Sequence, residues 1–260
     1  MPSWQPPLSS WSERVGLLPD IRFVERTGST NADLLAKLAA GEHPSEGSWL
    51  VADRQIAGRG RRGRSWIDAP GNFMGSTLVS LGLRDPPPAS LSFVAALAVY
   101  ETIVAQSAEP QRLQLKWPND VLLDGVKFCG ILLEREGGCA VVGIGVNLAH
   151  APDTGGRVTR SLARHGPAPD RDSFAHALAM NFAGELERWR LYGTGPIFQR
   201  WLAAAHPLGA PLSVHDPDGT KLSGSFAGLA DDGALRLCLD DGVVRVVHAG
   251  DVELEAVPCC

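Results

Sequence analysis

The spacing of apolar and polar positions divides this chain into two textures. Up to about residue 207, strand-like and helix-like stretches alternate with loops; from about Gly209 short β-rich runs alternate with turn signals. Ile21 to Glu25 alternates as a strand does. Ser29-Thr30-Asn31 opens a helical segment, Ala32 to Ala40, in which Ser29 and Thr30 are both natural N-caps and Gly41 is the stop. Trp49 to Asp53 predicts a second strand and Phe73 to Leu83 a third, with a loop rich in glycine and arginine between them. Leu91 to Ser107 is apolar, alanine-rich and long enough for a buried helix. Three closely spaced strands are expected at Leu113 to Trp117, Lys127 to Glu134 and Cys139 to Leu148. Connections this short favour antiparallel pairing and argue against a doubly wound parallel sheet. Helical patterns return at Arg171 to Tyr192 and Ile197 to Ala205. Beyond them, Pro217-Asp218-Gly219, Asp231-Asp232-Gly233 and Asp240-Asp241-Gly242 mark turns at the spacing of a small β-barrel of roughly 50 residues. The expectation is an α+β chain of two domains, residues 1–207 and 208–260, with the chemistry in the first.

Composition narrows the class. In 260 residues, 44% hydrophobic and 20% charged, there is enough apolar material for a sizeable core and the balance of a soluble globular protein. No apolar run approaches the ~20 residues of a membrane span. Met1-Pro2-Ser3-Trp4-Gln5-Pro6-Pro7 has neither the basic start nor the apolar core of a secretory signal, so the cytoplasm is expected. The five cysteines (Cys129, Cys139, Cys238, Cys259, Cys260) include no C-x-x-C pair and no histidine at zinc-ligand spacing, which argues against a structural zinc site. Cys259 and Cys260 read as exposed thiols, and an odd count suits a reducing compartment. Arg84 to Ala89 reads as a short rigid connector.

Against a formal net charge of −5, Gly58-Arg59-Gly60-Arg61-Arg62-Gly63-Arg64-Ser65-Trp66 is an island of positive charge. Glycine lets backbone approach a ligand, and arginine supplies planar cationic donors for carboxylate and phosphate oxygens. The loop is suited to closing over an anion. Gly58, Gly60 and Gly63 also satisfy G-x-G-x-x-G, but that dinucleotide motif must open a helix, and Ser65 to Asn72 reads as loop. A nucleic-acid patch would need a broader basic face than four arginines in an acidic chain.

Three further clusters could carry chemistry. Lys116-Trp117-Pro118-Asn119-Asp120 is either a strand-end turn or a convergence of a cation, an amide and a carboxylate. Lys127 either marks an exposed strand end or faces a cleft and pairs a substrate carboxylate. Gly143 and Gly145, two apart, point to one face with Asn147, leaving room for something flat or for a close crossing of chain. No Ser-His-Asp order, metal-ligand cluster or G-x-x-x-x-G-K-S/T loop is present, and His43, His150, His165, His176, His206, His215 and His248 are scattered. Nucleophilic hydrolysis is therefore not supported. Joining a carboxylate to a nucleotide phosphate is, because cations offset the repulsion between the two anions and stabilise the transition state.

Taken in order, Gly28 to Asn31, Gln55 to Trp66, Lys116 to Asp120, Lys127 to Glu134 and Gly143 to Asn147 resemble the biotin protein ligases over roughly Ile21 to Leu148. The resemblance implies a mixed sheet akin to class II aminoacyl-tRNA synthetases with flanking helices, and an SH3-like C-terminal barrel. It implies that biotin and ATP, with Mg²⁺, form biotinyl-5'-AMP, whose acyl group passes to one lysine of a biotin carboxyl carrier domain. By position, Ser29, Thr30 and Asn31 would line the biotin head and Gln55 would bond its ureido group. Arg59, Gly60 and Arg61 would order over biotin and adenylate, Lys127 would hold the carboxylate, and Arg64 and Lys116 would face phosphate. Trp66, Asn119 and Asn147 would frame the adenine, and Asp120 would orient or deprotonate the incoming lysine. Arg61, Lys116, Asp120 and Lys127 are thus the expected catalytic set. Cys129 would either approach the biotin ring or be a buried small hydrophobe. Some members carry an N-terminal helix-turn-helix domain and repress transcription; about 20 residues precede the first strand here, so a ligase without operator binding is expected. Dimerisation through a sheet edge is compatible with the family. A lipoate or octanoate ligase or transferase would share the fold and is the nearest rival.

Overall fold

The structure is a computed structural model that describes residues 19–105, 107, 109–153, 158–215 and 220–254. The N-terminal heptad, the Pro217-Asp218-Gly219 turn and the Cys259-Cys260 pair lie outside the described residues. Seven strands form one mixed sheet: β1 (Ile21–Thr27), β2 (Trp49–Gln55), β3 (Phe73–Ser80), β4 (Leu113–Lys116), β5 (Asp120–Leu123), β6 (Val126–Glu136) and β7 (Cys139–Val146), in the order β1-β2-β3-β7-β6-β5-β4. Only β1 and β2 run parallel; every other neighbouring pair is antiparallel. The hairpin series expected at 113–148 is present with one more strand than predicted. Four-residue β5, squeezed between the Pro118 turn and a turn at Asp124-Gly125, is too short to show a period.

Strand alternation assigns two faces. Trp49, Val51, Phe73, Val142 and Ile144 join the main core with helices α2 (Leu91–Val104), α3 (Arg171–Tyr192) and α4 (Thr194–Ala204), whereas Leu50, Leu78 and Val141 pack with Leu34 of α1 (Thr30–Ala39). Helix α2 is apolar around most of its circumference and is correspondingly sunk between α3, α4 and the sheet. Edge-to-face rings join the layers, with Trp49 against Phe182 at 5.6 Å and Phe73 against Phe174 at 5.4 Å. Helix α1 begins at Thr30, two residues before its apolar period, because Ser29 in extended conformation caps it and accepts from the Ala32 N–H at 3.5 Å. On the other side of the sheet, α1 therefore directs its N-terminus at the open end of β2, β3 and β7.

The C-terminal strands β8 (Pro211–His215), β9 (Lys221–Leu229), β10 (Leu235–Cys238), β11 (Val244–Val247) and β12 (Asp251–Leu254) form a separate antiparallel sheet in the order β11-β10-β9-β8-β12. The two predicted aspartate turns are built as expected: Asp232 Oδ1 accepts from the Ala234 N–H at 3.0 Å and Asp241 Oδ1 from the Val243 N–H at 2.9 Å. Gly233 has φ +85°, and a Cβ there would lie 2.9 Å from the Phe93 ring, so this turn is pressed onto α2. Trp117 Nε1 donates to the Gly233 carbonyl at 3.0 Å. These contacts hold the small sheet against the large domain beside β4.

His206 sits in that seam, 3% exposed, its ring 4.5 Å from Phe226. Burial, helped by the positive charge of Lys116, depresses its pKa from 6.5 to about 4. Above pH 6.5 the ring is neutral in both folded and unfolded chains and costs nothing. As pH falls from 6.5 to 4 the unfolded chain takes up the proton first, so stability declines across that window by about 3 kcal/mol and then levels. Urea unfolding at a series of pH values is expected to give a shallower decline for His206→Phe than for the parent chain. Parallel curves would refute this.

Candidate active site

All the strands that carry motifs end at one cavity of 1030 Å³, walled by the N-terminus of α1, the arginine loop, the Lys116–Asp120 turn and, from the second sheet, β12. Its floor is glycine. Gly130 and Gly145 are paired across β6 and β7, and Gly143 lies two residues before Gly145. A Cβ at Gly143 would stand 2.2 Å from Asn31 Oδ1, and one at Gly145 2.4 Å from the Trp66 indole. The room that the glycines leave is thus occupied by the chain's own amide and indole. Gly143→Ala is expected to displace Asn31, which is 3% exposed and hydrogen-bonded on both sides, and to raise the dissociation constant of the small-molecule substrate at least tenfold in calorimetry. Unaltered binding would show that Asn31 yields without consequence.

The arginine loop is a narrow, pinned hairpin. Arg59 and Ser65 form an antiparallel bridge, the Trp66 N–H donates to the Gly58 carbonyl at 2.9 Å, and the Gly60 N–H to the Arg64 carbonyl at 2.6 Å. Arg62 and Gly63 make the tip with φ of +58° and +72°. The only helical turn here is the three-residue Arg61–Gly63, and extended or irregular chain leads on to β3, so no helix N-terminus meets a pyrophosphate. At the base, Asp68 Oδ2 accepts from the Gln55 N–H at 3.2 Å and from Arg54 Nε at 2.5 Å. Four cations are directed differently: Arg59 towards Glu134 at 3.5 Å, Arg61 onto Asn119 Oδ1 at 3.0 Å, and Arg62 and Arg64 onto Asp251 at 3.3 and 2.7 Å. Burial lowers the Arg61 pKa, opposed by Asp251 and Asp120, yet arginine starts so high that it stays cationic.

Opposite the loop, Asp120 lies between two ammonium groups: Lys127 Nζ is 2.6 Å from Oδ1 and Lys116 Nζ 3.6 Å from Oδ2. Lys116 also donates to the Val252 carbonyl at 3.0 Å. Lys127 faces the cavity, 6.0 Å from the centre of the Trp66 ring, and is not a mere strand-end charge. At the α1 end, Gln55 Oε1 accepts from the Thr30 N–H at 2.7 Å, leaving the Gln55 NH₂ as a donor towards the cavity. The site can therefore grip two anions side by side and offers one carboxylate between the lysines.

Residues 23–148 match the Biotin/lipoate A/B protein ligase family, and residues 208–255 match the Biotin protein ligase C terminal domain. A biotin--[acetyl-CoA-carboxylase] ligase of Paracoccus denitrificans is 44% identical over 227 residues, covering 83% of this chain and 92% of that protein. The chain belongs to the biotin protein ligases. A second ligase of the same designation, from Mycobacterium tuberculosis, is 36% identical over 262 residues, 95% of this chain and 96% of that one. In fold, the ligase is similar to the biotin protein ligase from Aquifex aeolicus solved in complex with biotin and ATP, with a TM-score of 0.80 at 24% identity over 91% of this chain and 99% of that one.

The residues that the resemblance assigned to binding and catalysis all line this cavity: Ser29, Thr30, Asn31, Gln55, Arg59, Gly60, Arg61, Arg64, Trp66, Lys116, Asn119, Asp120, Lys127 and Asn147. Two of them are also tied into the walls. Asn119 Nδ2 donates to the Ile131 carbonyl at 2.5 Å while its Oδ1 accepts from Arg61, and Asn147 Nδ2 donates to the Arg160 carbonyl at 3.0 Å while its Oδ1 accepts from Asn72 at 3.3 Å. One donor and one acceptor of each amide thus hold the walls together. Cys129 is fully buried on the opposite, core side of β6, where burial pushes its thiol pKa up, so it is the small hydrophobe. The sequence reading passed over Ser76, Glu134 and Asp251. Ser76 stands next to Thr77 in the middle of β3, a weak signal; Glu134 and Asp251 look like ordinary strand-end carboxylates until the fold brings arginines to them.

Proposed function

We propose that the ligase activates biotin with ATP to biotinyl-5'-AMP and passes the acyl group to a lysine amine on a biotin carboxyl carrier domain, as of an acetyl-CoA carboxylase. The observation that carries this is the convergence of Arg59, Arg61, Arg64, Lys116 and Lys127 on one cavity floored by glycine. Thr30, Asn31 and Gln55 would hold the biotin head, and Lys127 its carboxylate beside the α-phosphate. Arg61, Arg64 and Lys116 would take the negative charge that builds at phosphorus as the carboxylate oxygen attacks and pyrophosphate leaves. Trp66, with Asn119 and Asn147 behind it, would frame the adenine. The pinned loop would exclude water, to which an acyl-adenylate is vulnerable. In the second step the incoming lysine amine would take a place beside Asp120 and attack the acyl carbon, with AMP as leaving group.

Mg²⁺ fits this scheme as a companion of the nucleotide. The lining carboxylates Asp120 and Asp251 are paired with lysine or arginine cations of the chain, Glu253 faces the His215 ring at 3.4 Å, and among the described residues there is no group of three ligating side chains, so the nucleotide phosphates would hold the ion. Bound there, it would neutralise phosphate charge. We further infer that the mixed sheet is akin to class II aminoacyl-tRNA synthetases, that the small sheet is an SH3-like barrel, and that the domain boundary falls at 207/208. The ligase would act in the cytoplasm; β1 ends the large sheet and is the edge at which a homodimer would form.

The test is ATP–pyrophosphate exchange with Mg²⁺ and biotin, lipoate or octanoate as the sole acid. Exchange with biotin alone is expected. Exchange with lipoate or octanoate instead would move the ligase to the other branch of its family, and none with any acid would overturn the proposal.

A further inference from the structure

Six polar side chains form a continuous series, five of them in the cavity lining and the sixth being Glu134. Thr30 Oγ1 lies 2.6 Å from Ser76 Oγ, Ser76 Oγ donates to Asn31 Oδ1 at 2.6 Å, Asn31 Nδ2 donates to Glu134 Oε2 at 2.9 Å, and the other Glu134 oxygen faces Arg59 at 3.5 Å. Gln55 joins at the far end, its Oε1 2.7 Å from the Thr30 N–H and 3.1 Å from the Thr30 hydroxyl. Proton counting orients the whole series. An ionised carboxylate only accepts, so Glu134 must meet the NH₂ side of Asn31, and the Asn31 oxygen must then face Ser76. Ser76 has one hydroxyl hydrogen, and it is committed to Asn31. The 2.6 Å contact therefore requires Thr30 to donate to Ser76, which leaves Gln55 Oε1 to the Thr30 N–H and turns the Gln55 NH₂ to the cavity.

We propose that Glu134 is a positioning residue for the small-molecule pocket: it touches neither reacting atom but, as the terminal acceptor, it decides which polar edges Asn31, Ser76 and Thr30 present there. Its second oxygen ties the same wall to Arg59 and so to the arginine loop. This rests on the proposed reading of the site as the biotin pocket. The alternation of β6 puts Glu134 on the same face as Gly130 and Leu132, both in the cavity lining, so its reach to Asn31 is a consequence of register and not of an incidental surface contact.

Glutamine in place of Glu134 can still accept from Asn31; methionine has the same length and cannot. Steady-state exchange is expected to give Glu134→Met a KM for biotin about tenfold higher, Glu134→Gln one within about threefold of the parent, and both an unchanged KM for ATP. Ser76→Ala cuts the same series in the middle and is expected to raise the biotin KM similarly, with the Ser76→Ala/Glu134→Met double variant no worse than the more impaired single one. Ser76→Ala carries the test if Glu134→Met does not fold. Equal effects of Gln and Met, a parallel rise in the KM for ATP, or additive losses in the double variant would overturn the proposal. Parent enzyme that exchanges pyrophosphate only with another acid, or not at all, would instead overturn the biotin reading itself.

Discussion

Lys127→Ala is expected to lower kcat/KM for biotin in pyrophosphate exchange by about 10²- to 10³-fold, with a change of only a few fold in the KM for ATP. Two losses combine. The carboxylate that must approach phosphate loses its nearest cation, and Asp120 loses the partner 2.6 Å away, leaving Lys116 at 3.6 Å to balance it. The Asp120 side chain is only 14% exposed, so water compensates poorly, and its repulsion would then act on the incoming substrate anion. Lys127→Arg should recover little, because a guanidinium over Gly130, where Lys127 Nζ already stands 3.0 Å from the place of a Cβ, needs more width than an ammonium. A variant that keeps its affinity for biotin and its exchange rate would show that Lys127 serves only as a counter-ion to Asp120.

Asp120→Asn should separate the two half-reactions. Transfer of a preformed adenylate to a carrier lysine is expected to fall by about 10²- to 10⁴-fold, the range for loss of a positioned base, while pyrophosphate exchange changes less than about tenfold. The amide keeps the shape of the β4–β5 turn but cannot take a proton or draw in an ammonium ion. Single-turnover transfer with isolated adenylate is the measurement that decides. If exchange and transfer decline together, Asp120 acts by holding Lys116 and Lys127 in place for the first step and has no separate role in the second.

Much of this site could be read before any fold was known, for a physical reason. Anion-binding needs cations on a backbone that bends, and Gly58 to Arg64 states both requirements within seven consecutive residues. The bare floor was legible in the same way, since Gly143 and Gly145 two apart on a strand must share a face. What fills that floor was not. Trp66 and Asn31 are 79 and 112 residues from their glycines, and only the pairing of β3 with β7, the placement of α1 over them and the return of the loop bring them together. The short strand β5 escaped for lack of a period, and the bonds of Asn119 and Asn147 to the walls escaped because their partners, two backbone carbonyls with Arg61 and Asn72, come from other segments that sequence does not link to them.

The sequence by itself determined the family, the α+β order of elements, the cationic loop and the motif residues of the cavity, because each rests on local periodicity or on residue types grouped within a motif. Tertiary structure alone decided how those parts are held. Asp251 of the second sheet clamps Arg62 and Arg64, Glu134 at the end of the Asn31–Ser76–Thr30 series reaches Arg59, and His206 lies buried in the seam between the sheets. A lone carboxylate or imidazole carries no pattern of its own. Its partner, its burial and hence its charge state come from chain segments roughly a hundred residues away, which only long-range packing selects.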